Sequence, residues 1–207
     1  ATFNVRSLRG KVGAAQPVVV ASQQAVLFLG VQQSRTTRKG KQIGDYTRLS
    51  SDAAGGHGGC ELWLNSKIVI AQISVGPIKF NSDYASIVHS DPRHLIVSIA
   101  IGPLILFVSV AHAPSNGSAT PIEIDEWWSE ATRELMACMR GCPHLVCLHD
   151  TNQQLPLNLS SGVGGVGWQH TVGANVVART YHEWDCFVPS TFVEHAGSVH
   201  EYDQATY

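Results

Sequence analysis

Apolar and polar positions alternate along much of this chain with the two-residue period of strands, and a clear helical period occurs once. Thr2-Phe3-Asn4-Val5 reads as a short strand, and the stretch from Gln16 to Arg35 ends in a second apolar run, Val26-Leu27-Phe28-Leu29-Gly30-Val31. Residues 34–58 are polar, basic and Gly-rich, and predict a long loop. Gly59-Cys60-Glu61-Leu62-Trp63-Leu64-Asn65 alternates and runs into Lys67 to Ile73, which predicts paired strands. Tyr84 to His89, His94 to Ile101 and Leu104 to Ala111 are β-branched runs separated by Asp91-Pro92 and Gly102-Pro103. Those separators are turn chemistry, so the segment predicts an antiparallel meander.

The helical signal begins at Thr120-Pro121-Ile122-Glu123, which has the capping-box form with Pro at the first helical position. Ile124, Trp127 or Trp128, Ala131, Leu135 and Cys138 or Met139 then recur every three to four residues, until Gly141 and Pro143 end the pattern. That spacing assigns Trp127 and Trp128 to packing rather than to base stacking. Leu145-Val146-Cys147-Leu148 follows as a short buried strand, with His149-Asp150-Thr151-Asn152 emerging from its carboxyl end. Residues 156–175 are rich in Gly, Ser and Asn and read as a mobile loop. Strands dominate, so the expected class is α+β: a two-layer β-sandwich flanked by helices, in one domain over 1–207.

Composition narrows this only a little. At 207 residues the chain can bury one core, and 14% charged residues describe a folded domain with a rather uncharged surface. Five cysteines form no CxxC pair, and no secretory signal or long apolar segment is present; the expected setting is reducing and intracellular, away from any membrane. Residues 1–50 hold eight of the 14 Lys and Arg against one acid, Asp45, while the remainder is acidic. A basic amino-terminal part can meet phosphate, although the net charge of −2 argues against a generic nucleic-acid binder.

Asp150 and Asn152 sit where functional groups collect in layered proteins, yet Asp and Asn also form turns. Four segments, in order, resemble the endonuclease/exonuclease/phosphatase family of metal-dependent phosphodiesterases. Asn4-Val5-Arg6-Ser7-Leu8 is similar to its opening "WNVRGL", Val31-Gln32-Gln33-Ser34-Arg35 to "LQETR", Ala111-His112-Ala113-Pro114-Ser115-Asn116 to "YAP/HAP", and His149-Asp150-Thr151-Asn152 to "GDFN". Gly59 to Trp63 fits the family's second strand, and Ser190-Thr191-Phe192, Gly197-Ser198 and Tyr202-Asp203 are similar to its "TF…G…IDY" end. "NVRSL" and "STF…HAGSVHEYD" most resemble the endonuclease domain of LINE-type retrotransposons.

The resemblance implies a DNase I-like four-layer fold, Mg²⁺ or Mn²⁺, DNA as partner, a polyprotein that also carries reverse transcriptase, and a nuclear setting. It gives Asn4 and Gln33 to the metal, Asp150 to the attacking water, Asn152 and His112 to the phosphate, and Arg35 and Asn116 to substrate. Asp203 corresponds to the carboxylate that orients a catalytic His. The plain structural alternatives are a strand-end hydrogen bonder for Asn4, a satisfied core histidine for His112 and a surface acid for Asp203. Three departures stand out. Gln33 replaces the metal-binding Glu, His149 and Thr151 replace Gly and Phe, and the family's final strand and Ser-Asp-His segment would lie beyond Tyr207. Two function classes follow: a DNA-nicking endonuclease, or a catalytically degenerate module of the same fold. A small-molecule or lipid phosphoesterase is the third.

Overall fold

The computed structural model describes residues 2–5, 8, 26–36, 41–51, 53–54, 57–74, 76–153 and 174–186. The chain divides into two compact units, Ala1–Ala113 with Ala131–Asp150, and Pro114–Glu130 with Thr151–Tyr207.

The first unit contains a sheet of β1 (Thr2–Asn4), β2 (Phe28–Gln32), β3 (Lys41–Ile43), β4 (Tyr46–Ser50) and β5 (Glu61–Asn65), ordered β1-β2-β5-β4-β3. A separate hairpin pairs β6 (Val69–Ile73) with β7 (Gly76–Lys79). The second sheet is built from β8 (Ala85–Ser90), β9 (His94–Ile101), β10 (Leu104–His112) and β11 (Leu145–Asp150), ordered β11-β10-β9-β8. β8, β9 and β10 form the expected antiparallel meander. β11 runs parallel to β10 because the connection between them passes through helix α1 (Pro121–Met139), and a parallel return needs such a crossover.

The two sheets face each other across one core. Leu62 and Leu64 of β5 meet Leu95, Val97 and Ile99 of β9, Val108 and Val110 of β10, and Leu148 of β11. Each such side chain contributes about 1.5–3 kcal/mol on burial, so this cluster is the main reason that the layers hold. The alternate residues of the first sheet, Leu29, Val31, Tyr46 and Trp63, build a second cluster on its other face with Leu8.

Three sequence expectations need correction. Residues 34–58 are not all loop: β3 and β4 form a hairpin whose tight turn is Gly44-Asp45, with Gly44 at φ 58°. Tyr46, Arg48 and Ser50 are buried while Thr47 and Leu49 are half-buried, so an alternating strand was hidden by its buried arginine. Second, β5 does not pair with the segment after it; β5 joins β2 and β4, and β6 turns instead onto β7. Third, the stretch assigned to loop at 156–175 gives way to helix α2, Ala174–Glu183, with its other residues up to 173 outside those described.

In the second unit, the amino-terminal turns of α1 are capped as the sequence predicts. Thr120 donates its backbone N–H to Glu123 Oε2 at 2.7 Å, and Glu123 returns its N–H to Thr120 Oγ1 at 3.3 Å. The backbone N–H of Thr120, and its hydroxyl donating to the same oxygen at 2.8 Å, hold the Glu123 carboxyl below its ordinary range. α2 buries Ala174, Val177, Ala178 and Tyr181, one face at helical spacing, and Tyr181 meets Trp128 edge-on at 6.1 Å. Among the described residues no helix is long and apolar enough to cross a membrane.

Candidate active site

Gly30 is where the site begins. A Cβ at this position would lie 2.6 Å from Leu148 Cβ, so only glycine lets β2 approach β11 this closely. Two residues on, the buried Gln32 donates from Nε2 to the Leu148 carbonyl at 2.8 Å and to Thr2 Oγ1 at 2.6 Å. The amide thereby ties β1, β2 and β11 together. The carboxyl ends of β1 and β11 then fall side by side, and Asn4 Nδ2 donates to Asp150 Oδ2 at 2.6 Å.

His112 ends β10 directly opposite Asp150 in the parallel register. Its Nε2 lies 3.9 Å from Asp150 Oδ2. On its other side Arg93, in the β8–β9 turn, directs Nη1 at His112 Nδ1 (3.3 Å) and donates to the His112 carbonyl at 3.1 Å. A guanidinium only donates, so Nδ1 accepts and Nε2 carries the proton toward Asp150. Burial lowers the imidazole pKa, Asp150 opposes this and Arg93 adds to it, so the ring is neutral at pH 7.

Beside His112 lies a cleft of about 330 Å³, also lined by Gln33, Arg35, His57, Gly58 and Arg93. Its wall is a fold of unusual backbone: Gln33 and Arg35 have φ of 56° and 54°. Such left-handed residues cost about 1–2 kcal/mol each, and hydrogen bonds hold them there. Ser34 and Arg35 donate to the Gly59 and Gly58 carbonyls at 3.0 and 2.9 Å, and Gly59 donates to the Pro92 carbonyl at 2.7 Å. Gly58 is obligatory, because its φ is 70° and a Cβ there would meet the Pro92 carbonyl oxygen at 2.6 Å. Among the described residues, two guanidiniums and two imidazoles line the cleft and no carboxylate does.

Of the residues expected from the sequence, Asn4, His112 and Asp150 are thus in mutual reach, and Gln33 and Arg35 line the cleft with His112. Asn116 and Asn152 belong to the second unit. There Asn116 accepts from Gln153 Nε2 at 3.1 Å, and Asn152 is half-buried with φ 49°. Asp203 lies outside the described residues. Arg93 and His57 were missed: Arg93 follows the Asp91-Pro92 turn, and nothing local marks either as a cleft residue.

No family model and no curated protein matches the sequence. Among solved structures the chain matches the endonuclease domain of TRAS1, described as a telomere-specific non-LTR retrotransposon, with a TM-score of 0.55. Identity is 14% over 88% of this chain and 68% of that one. The chain has a DNase I-like fold. In this fold the two facing sheets bring Asn4, His112 and Asp150 together at their strand ends.

Fit to a divalent metal can be judged on the donors. Mg²⁺ is usually held by one or two carboxylates together with substrate phosphate and waters. Among the described residues here, Asp150 is the carboxylate joined to Asn4 and His112, Gln33 offers an uncharged amide, and Arg35 and Arg93 add positive charge nearby. The residues fit a cation completed by substrate phosphate and held weakly without it.

Proposed function

We propose that this chain is a divalent-metal-dependent phosphodiesterase that nicks DNA, acting within a retrotransposon polyprotein that also carries reverse transcriptase and reaches the nucleus. The observation that carries the reading is the convergence of Asn4, His112 and Asp150 in a DNase I-like fold. Asp150 orients and deprotonates the attacking water, and the Asn4 amide, 2.6 Å away, holds its carboxylate in one position. His112, kept neutral with its proton on Nε2, donates a hydrogen bond to a phosphate oxygen as charge builds. Arg93 fixes the ring, and with Arg35 it attracts the DNA backbone into the cleft. A bound Mg²⁺ or Mn²⁺ would supply neutralisation of the phosphate oxygens and help to the leaving oxygen. The roles of Asn116, Asn152 and Asp203 stand on the family resemblance alone.

A second reading is favoured by the cleft lining, where the described residues include two guanidiniums and no carboxylate. A site of that kind holds phosphate without cutting it, as a degenerate module of the same fold would. Nicking of supercoiled plasmid with Mg²⁺ or Mn²⁺ separates the two. The enzyme reading expects nicking that chelator and Asp150→Ala abolish, and that Gln33→Glu raises together with Mg²⁺ affinity. Plasmid binding with no nicking, in Gln33→Glu as well, establishes the degenerate module. Unchanged metal affinity in Gln33→Glu removes Gln33 from the metal.

A further inference from the structure

A second cluster of polar side chains occupies the outer face of the β8–β9–β10–β11 sheet. His89 closes β8, His94 opens β9, Asp91 stands in the turn between them, and Glu134 reaches in from α1. One ligand atom from each of the four lies within 4.8 Å of all the others. His89 Nε2 is 2.9 Å from Asp91 Oδ2 and 3.1 Å from Glu134 Oε2, and His94 Nδ1 is 3.5 Å from the same Glu134 oxygen. A tetrahedral zinc with bonds of about 2.0–2.1 Å sets its ligand atoms roughly 3.3 Å apart. The observed separations bracket that value.

We propose that His89, Asp91, His94 and Glu134 bind a divalent transition-metal ion of the zinc class, at a site separate from the residues of the candidate active site. Two carboxylates converge on a single imidazole nitrogen here, and a cation among them would offset the repulsion between them. Two imidazoles and two carboxylates suit zinc better than Mg²⁺, which prefers oxygen donors alone. The supporting residues also match a metal site. His94 Nε2 meets Ser109 Oγ at 2.9 Å, and Ser109 meets His149 Nε2 at 2.8 Å, so the ring that presents Nδ1 to the cluster is held from behind. Asp91 Oδ1 accepts the backbone N–H groups of Arg93 and His94 at 2.6 and 2.9 Å, leaving Oδ2 on the cluster side.

Such an ion does two things. It clips the carboxyl-terminal half of α1, through Glu134, to the sheet. It also anchors the 91–94 turn whose Arg93 holds His112, and so braces one wall of the cleft.

The test is zinc binding by the purified chain, read by competition with a chromophoric chelator and by the visible spectrum of the Co²⁺-loaded protein. One equivalent of zinc is expected, with tetrahedral Co²⁺ bands. Binding should be lost in His89→Ala and in the half-exposed Glu134→Gln, reduced about 10-fold in Ser109→Ala, and kept in Asp150→Ala. Circular dichroism checks that each variant is folded. No zinc binding by the wild-type chain, or binding kept in folded His89→Ala and Glu134→Gln, overturns the proposal. The four side chains would then be a plain hydrogen-bonded network of imidazoles and carboxylates. Neither outcome depends on plasmid nicking, so the two proposals fail separately.

Discussion

At the scale of single residues, buried charge is concentrated on Glu61. Its side chain is fully buried on the face of β5 opposite the sandwich core, and three groups satisfy it. Trp63 Nε1 donates to Oε2 at 2.8 Å, Thr36 Oγ1 donates to Oε1 at 2.5 Å, and Arg48 Nε lies 3.3 Å from Oε2. Coulomb attraction in such a place is set against desolvation of both ions, so the pair is a weak source of net stability. Breaking it is another matter. Arg48→Met should cost about 3–5 kcal/mol, because it strands a carboxylate inside. Adding Glu61→Leu should recover most of that loss. Urea unfolding of the single and double variants measures this, and additive losses would show that the two residues do not depend on each other.

Among elements, the contact between β2 and β11 governs the active site, and it rests on a missing side chain. Gly30→Ala places a methyl 2.6 Å from Leu148 Cβ, an atom bonded directly to the backbone, and 3.2 Å from the Leu148 carbonyl oxygen, so turning the side chain cannot relieve the contact. Overpacking of this kind costs about 1–3 kcal/mol. The consequence for the site should exceed the consequence for stability, since separating β2 from β11 also stretches the Gln32 bond to Leu148 and carries Asn4 away from Asp150. We expect Gly30→Ala to remain folded by circular dichroism, with its urea midpoint lowered, and to lose most of any plasmid nicking. Full activity in the folded variant would mean that the Asn4–Asp150 contact is dispensable.

For the whole molecule, the buried histidines determine how stability responds to pH. His94 and His149 are held neutral, with pKa values near 4 and 3, chiefly by burial and then by neighbouring histidine charge. In the unfolded chain both return to about 6.5. Below that value the unfolded state binds more protons than the native state, so the stabilisation is present above pH 6.5 and is lost as pH falls. The slope is up to about 1.4 kcal/mol per pH unit for each histidine. Urea unfolding in chelator at pH 7, 6 and 5 should show it before the carboxylates titrate, and His149→Phe should flatten it. A flat profile in the wild-type chain would contradict the burial of these rings as neutral species.

How far the sequence reaches depends on the range of the interactions. The β8–β10 meander, the capped α1 and the strand before Asp150 were legible because turns, caps and periodicity act within a few residues of the groups they order. Helix α2 was missed: Ala174, Val177, Ala178 and Tyr181 repeat at helical spacing, but the run is short and follows a glycine-rich stretch that reads as loop. The β3–β4 hairpin was not legible either, since burial of Arg48 has its reason in Glu61, on the neighbouring strand. The ordered segments around Asn4, Gln33, His112 and Asp150 pointed to these residues as one site. Tertiary structure alone decided that Asn4, His112 and Asp150 meet, that Arg93 holds His112, and that His89, Asp91, His94 and Glu134 converge. The physical reason is the same each time: strand pairing and the Gly30–Leu148 contact place groups far apart in the chain within hydrogen-bond distance, and no local pattern encodes that closure.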